Sequence, residues 1–187
     1  LAYKERDGRW NDVSFESVAE AEAFVEEYRT KDVDLYFSPT TYSKPQRKKE
    51  NVQASQWLWQ DLDEVNPSHL APKPTIAWET SPGRYQALWR LPNKLDGAAL
   101  EAVNHELARI TNADHGSWIL TKVLRIPGTR NYKYPGPPSG KLLWTDGPEY
   151  HAVPPKVLEI LETDPSIGNR SDKLWLMEHE LAKAGFS

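Results

Sequence analysis

The segment Gln56-Trp57-Leu58-Trp59-Gln60-Asp61-Leu62-Asp63 constrains the fold more than any other part of this chain. It is dense in aromatic and apolar residues up to its two carboxylates and then breaks at Asn66-Pro67, which predicts a core strand running out to the edge of a sheet. Strand side chains alternate faces with a period of two, so Asp61 and Asp63 are expected on one face, within reach of one ion or a pair. On spacing alone an Asp-x-Asp is more often a solvated turn than a site. Position changes the balance: two like charges set directly against Trp57, Leu58 and Trp59 destabilise each other unless a cation or bases neutralise them. Magnesium and manganese take hard oxygen ligands and keep water or substrate phosphate in their remaining positions, so two or three carboxylates make a sufficient seat.

The surrounding pattern mixes helix and strand. Ser17 and Glu20 form a capping box ahead of Val18, Ala21, Phe24 and Val25 at helical spacing, predicting an amphipathic helix from Ser17 to Tyr28. Val33 to Ser38 reads as a strand, followed by a basic run, Lys44, Arg47, Lys48 and Lys49, expected in an exposed loop. Thr75 to Thr80, the turn Ser81-Pro82-Gly83-Arg84 and Tyr85 to Leu91 read together as a β-hairpin. Asp96 is placed to cap a helix whose apolar face is Leu100, Val103, Leu107 and Ile110. Short strands are expected at Val123 to Ile126 and at Leu142 to Trp144, and from Pro154 onward the pattern turns helical up to Gly185. The expected organisation is therefore one α+β domain over 1–150 and a small helical module over 151–187.

Composition narrows the function. The 187 residues include no cysteine, which excludes disulfide frameworks and thiolate zinc sites and fits a reducing cytoplasm. No apolar run approaches the about 18 residues of a membrane span, and the start lacks the apolar core of a signal peptide. The only methionine is Met177, so the chain is expected to be a piece of something longer. A net charge of −4 argues against holding nucleic acid by bulk positive charge, so such contacts must be local. The five histidines show no metal-ligand spacing and none pairs with a serine in a nucleophile motif, and phosphate-binding glycine loops of the P-loop or dinucleotide type are absent.

Two further constellations carry chemistry. Lys122, Arg125, Arg130 and Lys133 gather around Arg125-Ile126-Pro127-Gly128-Thr129-Arg130-Asn131, where glycine admits a phosphate and the cations supply charge-assisted hydrogen bonds. A solvated basic turn fits that segment about as well when it is taken alone. The hairpin turn, with Ser81, Gly83, Arg84 and Gln86, offers a second set of phosphate donors. Asp114, in the loop after the Leu100 to Ile110 helix, is a candidate third acid, although Asn112-Ala113-Asp114-His115-Gly116 equally suits a helix-ending loop.

In this order the segments resemble the archaeo-eukaryotic primase superfamily, specifically the prim-pol domains of phage and plasmid replication proteins, including those of actinobacterial phages. Leu58 to Asp63 is similar to the family's first motif, an apolar strand ending in metal-binding Asp-x-Asp, and Tyr36-Phe37-Ser38-Pro39 upstream also looks like the family. Thr80 to Trp89 is similar to the second, which normally ends in a phosphate-contacting histidine, and here Gln86 holds that place. Asp114 to Lys133 is similar to the third, an acid ahead of Arg-hydrophobe-Pro-Gly-Thr. Relatives often carry a further acid shortly after the one matched by Asp114, and this chain has Ile119 near there. The resemblance covers roughly Val33 to Lys133, and Asn169-Arg170-Ser171 with the final helix looks like the helical module that follows in such proteins.

The resemblance implies an RRM-like mixed-sheet catalytic core and DNA-templated primer synthesis and extension by two-metal nucleotidyl transfer. Asp61, Asp63 and Asp114 would hold Mg2+ or Mn2+, and Ser81, Gly83, Arg84, Gln86, Lys122, Arg125, Thr129, Arg130, Asn131 and Lys133 would bind a dNTP or NTP. A single-stranded DNA template would lie along Lys44, Arg47, Lys48 and Lys49, and a helicase domain would follow, in the cytoplasm of a bacterial host. The alternative is a non-catalytic single-strand or origin DNA-binding module that stacks bases on its aromatic residues. A nicking initiator needs His-x-His, which does not occur.

Overall fold

The computed structural model describes residues 1–150 together with His179, Glu180 and Lys183, and apart from those three positions the helical module expected over 151–187 lies outside the described residues. Ten principal elements follow in order: β1 Ala2–Lys4, β2 Trp10–Asp12, α1 Val18–Tyr28, β3 Asp34–Phe37, β4 Ser55–Asp63, β5 Ile76–Ser81, β6 Arg84–Leu95, α2 Gly97–Thr111, β7 Leu124–Arg125 and β8 Lys141–Trp144. They build two four-stranded sheets, β2-β1-β3-β7 and β4-β6-β5-β8. Every strand pair in them is antiparallel. The class is α+β as expected, but the mixed sheet implied by the resemblance resolves into two antiparallel ones. Among the described residues no helix is long and apolar enough to cross a membrane.

The core fills the second sheet and the space between the two. Trp59, Trp78 and Trp89 are almost wholly buried and pack with Leu58, Leu62, Leu91, Leu100 and Leu107, while Leu124 of β7 joins the same cluster and Phe37 of β3 packs on it. Burying a large aromatic or aliphatic side chain contributes about 1.5–3 kcal/mol, so this cluster is the main stabilising term. In the first sheet, α1 forms where its capping box predicts: the Glu20 backbone N–H donates to Ser17 Oγ at 3.2 Å. The helix is held through rings, with Phe24 stacked on Tyr28 at 4.0 Å and Tyr3 against both.

One feature of β4 governs the site. It lies at the edge of its sheet, paired with β6 alone. Its free edge is covered by α2 and the loop after it: the Trp59 N–H donates to Asn104 Oδ1 at 2.9 Å, Gln60 Nε2 donates to the Asn104 carbonyl at 2.7 Å, and Ser117 Oγ donates to Gln60 Oε1. Covering an edge in this way satisfies groups that would otherwise recruit a foreign strand.

Candidate active site

The same covering brings the third acid to the first. Helix α2 ends at Asn112 in the left-handed region, φ 52°, so the chain turns back along β4 and the Asp114 N–H donates to the Asp61 carbonyl at 2.9 Å. Lys122 lies between their side chains, its ammonium 3.1 Å from Asp61 Oδ2 and 3.4 Å from Asp114 Oδ2. Asp61 also accepts at Oδ1 from Gln86 Nε2 at 3.2 Å, across the β4–β6 ladder in which the two residues pair. The charges of Asp61 and Asp114 are thus compensated by one lysine.

Asp63 sits differently. The register slips between Asp61 and Asp63, and Asp63 itself takes a left-handed backbone at φ 49°. Strict alternation stops at this bulge, and in the structure the two acids have different partners. Asp63 pairs with Arg84 Nη1 at 3.3 Å, and Arg84 also reaches Glu64 at 2.9 Å. Among the described residues no three acids or histidines gather closely enough to hold an ion together. Hard-oxygen donors with a cation already standing between two of them fit a divalent ion in chemistry.

Behind Asp61 runs a buried chain of hydrogen bonds. Gln86, buried, accepts at Oε1 from the Arg125 N–H at 2.8 Å while donating to Asp61, so both ends of its amide are used within the protein. Arg125 is 6% exposed; its guanidinium donates to Asp34 Oδ1 at 2.6 Å and to Tyr36 Oη at 2.8 Å. The Tyr132 N–H completes the Asp34 carboxylate at 2.7 Å. Burial pushes the Tyr36 phenol up to about 12, with the Arg125 guanidinium pulling the other way. Arg125 and Gln86 were expected to meet phosphate, and the structure instead engages them in holding Asp61 and joining the two sheets. Asp34 escaped sequence reasoning, though an acid inside the apolar run Val33 to Phe37 was the available signal.

The remaining candidates divide by exposure. Thr129 and Asn131 are buried and shape their loop: Thr129 Oγ1 donates to the Ile126 carbonyl at 2.7 Å, and Asn131 Nδ2 donates to that of Thr80 at 3.3 Å. Ser81, next to Thr80, is buried at the hairpin turn, where Gly83 takes φ 72° and donates its N–H to Glu79 Oε1 at 2.7 Å. Arg130 and Lys133 are exposed, and Arg84 is half-exposed. In the basic loop, Arg47 is tied to Asp12 at 2.9 Å and to the Thr121 carbonyl at 2.9 Å, and Lys49 pairs with Glu101. Lys44 and Lys48 are exposed. Ile119 is 40% exposed.

Residues 38–152 match the RepB DNA-primase N-terminal domain. The chain belongs to that family. The matched span runs from the end of β3 through all three acids and the 125–131 loop, and it leaves β1, β2, α1 and Asp34 outside. The fold is also that of solved primases. The AEP domain of the cyanophage S-2L primase-polymerase (PrimPol) superposes with a TM-score of 0.64 at 13% identity, over 86% of this chain and 88% of that one. The primase RepB' gives 0.64 at 18% identity over 97% of this chain and 62% of its own. Its catalytic domain, solved in complex with initiator DNA, gives 0.62 at 17% identity over 98% and 86%. At these identities the likeness is one of fold. No curated protein sequence matches the chain. This RepB-type primase domain therefore has the α+β architecture of archaeo-eukaryotic prim-pol domains, with Asp61, Asp63 and Asp114 at one end of β4.

Proposed function

We propose that this domain synthesises and extends primers on single-stranded DNA in phage or plasmid replication, by nucleotidyl transfer with Mg2+ or Mn2+ at Asp61, Asp63 and Asp114. The observation that carries the reading is the delivery of Asp114 to Asp61 by a backbone hydrogen bond, around a position held by the Lys122 ammonium. A bound divalent pair would supply Lewis acidity at the attacking 3'-hydroxyl and at the triphosphate oxygens. The protein's own part is positioning and charge. Gln86, fixed by the Arg125 backbone, aims Asp61. Arg84, 3.3 Å from Asp63, and the exposed Arg130 and Lys133 would stabilise negative charge as pyrophosphate leaves, and Lys122 would serve as a further phosphate contact. We read the β4-β6-β5-β8 sheet with α2 as the RRM-like catalytic half, Lys44 and Lys48 as contacts to template, and a following helicase domain as the natural consumer of the fork.

The rival reading, a non-catalytic single-strand or origin DNA-binding module, draws on one observation: among the described residues no three acids share a single ion-sized space. Primer synthesis and extension on single-stranded DNA with labelled dNTPs or NTPs and Mg2+ or Mn2+ separates the two. Product from the parent and none from Asp61→Ala plus Asp63→Ala supports nucleotidyl transfer. A parent without product that still binds DNA in the presence of a chelator supports the binding module.

A further inference from the structure

We propose that Trp10 and Tyr36 form a shelf beside the candidate active site on which a base of single-stranded DNA stacks, an inference that rests on the primase reading and extends it to a binding subsite. Cross-strand partners share a face, and Lys4 pairs with Trp10 while Ala2, two residues before it, pairs with Tyr36. Trp10, Lys4, Ala2 and Tyr36 therefore lie on one face of the first sheet. Ala2 is fully buried, and across this small residue the indole and phenol rings meet with centroids 4.8 Å apart, tilted by 42°. The opposite face is the one that takes α1, through Tyr3 against Phe24 and Tyr28.

Packing alone does not account for Trp10. The core tryptophans Trp59, Trp78 and Trp89 are at most 1% exposed, whereas Trp10 is 45% exposed on a three-residue strand at the sheet edge. Cations border the rings in the pattern that single-strand binders use, where aromatic faces take bases and basic groups track phosphates. The Lys4 ammonium lies 5.6 Å from the Trp10 ring centre, and the Arg125 guanidinium lies 4.8 Å from that of Tyr36. The two acids on the same face are both neutralised, Asp12 by Arg47 at 2.9 Å and Asp34 by Arg125 at 2.6 Å. In a chain of net charge −4, such a patch is the local attraction a polyanion needs. The shelf is also wired to the acids, since Tyr36 Oη accepts from Arg125, whose backbone N–H holds Gln86 against Asp61.

The test is the affinity of the protein for fluorescein-labelled oligo-dT and for an abasic oligomer of equal length and charge, by anisotropy in the presence of a chelator. The expected result is that the parent prefers oligo-dT at least about ten-fold, that Trp10→Ala weakens oligo-dT binding about ten-fold while leaving the abasic oligomer nearly unchanged, and that Trp10→Phe keeps most of the preference. Equal losses on both oligomers, or no loss on either, overturn the shelf and leave the primase reading standing. A parent that binds neither oligomer overturns both. Should Trp10→Ala fail to fold by circular dichroism, the parent's preference over the abasic oligomer and the Trp10→Phe value decide the matter, and a parent indifferent to the missing bases refutes the shelf. Trp10 shielded from iodide quenching only at high protein concentration would assign this face to a second copy of the chain and refute it too.

Discussion

Replacing Lys122 by methionine removes the charge between Asp61 and Asp114 while keeping the length and much of the apolar stem. The two carboxylates cannot separate freely, because the Asp114 N–H is bonded to the Asp61 carbonyl. Two ion pairs at 3.1 and 3.4 Å would each be worth about 4 kcal/mol at the effective dielectric of a protein surface, but Asp61 and Asp114 retain 27% and 42% of their side-chain exposure, and water screens much of that. We expect a net loss of about 1–2 kcal/mol, a fall in Tm of about 2–4 °C for each kcal/mol in a chain of this size. A divalent ion should then do what the lysine did. Binding of Mn2+ is expected to tighten about ten-fold in Lys122→Met, and the Tm increment at saturating Mn2+ to exceed that of the parent. Differential scanning fluorimetry over a Mn2+ titration reads both quantities without any activity assay. A variant whose apo Tm is unchanged and whose Mn2+ increment equals the parent's would show that Lys122 does not occupy the ion's place.

Two further predictions concern the network behind Asp61. Asp34→Asn leaves the Arg125 guanidinium buried without its carboxylate and should cost about 3–5 kcal/mol in urea unfolding; a loss below about 1 kcal/mol would mean that the pair does not hold β3 and β7 in place. Tyr36 sets the alkaline limit: its folded value of about 12 lies above the ordinary 10, so both states keep the proton below pH 10, and as pH rises from 10 to 12 the unfolded chain releases it first. Stability contributed by the buried neutral phenol, about 2–3 kcal/mol, is present below pH 10 and lost across that window. Unfolding free energies at pH 9 and 11 should therefore fall more steeply for the parent than for Tyr36→Phe, and parallel declines would contradict the assignment.

The sequence made the local signals visible and hid the ones that depend on pairing. The α1 cap, β4, the β5–β6 hairpin and α2 follow from period and turn chemistry, and apart from the far end of β6 all lie within a residue or two of their expected places. The strand β6 runs on to Leu95, past Pro92, because the β4–β6 register slips between Ser55 and Trp57 and leaves the proline outside the regular ladder. β1 and β2 were missed because three-residue strands have no readable period; they exist through pairing, β1 with β3 and β2 with β1. Among site residues, Asp61 stood out because acids rarely end an apolar strand without a reason. Arg125 was read as a phosphate ligand because its partners, Asp34 and Tyr36, lie about ninety residues away in sequence, a distance over which side-chain chemistry gives no hint of burial. Asp114 was legible as a candidate third acid and equally as a helix-ending loop residue, and only the open edge of β4 explains why that loop returns to Asp61.

The most direct test is Asp61→Asn, which keeps the Gln86 contact in shape but removes the charge. Labelled nucleotide incorporation on single-stranded DNA with Mn2+ should fall by about a thousand-fold or more, with the circular dichroism spectrum and the affinity for oligo-dT in chelator unchanged. Incorporation within a few-fold of the parent would remove Asp61 from catalysis and, with it, the proposed site.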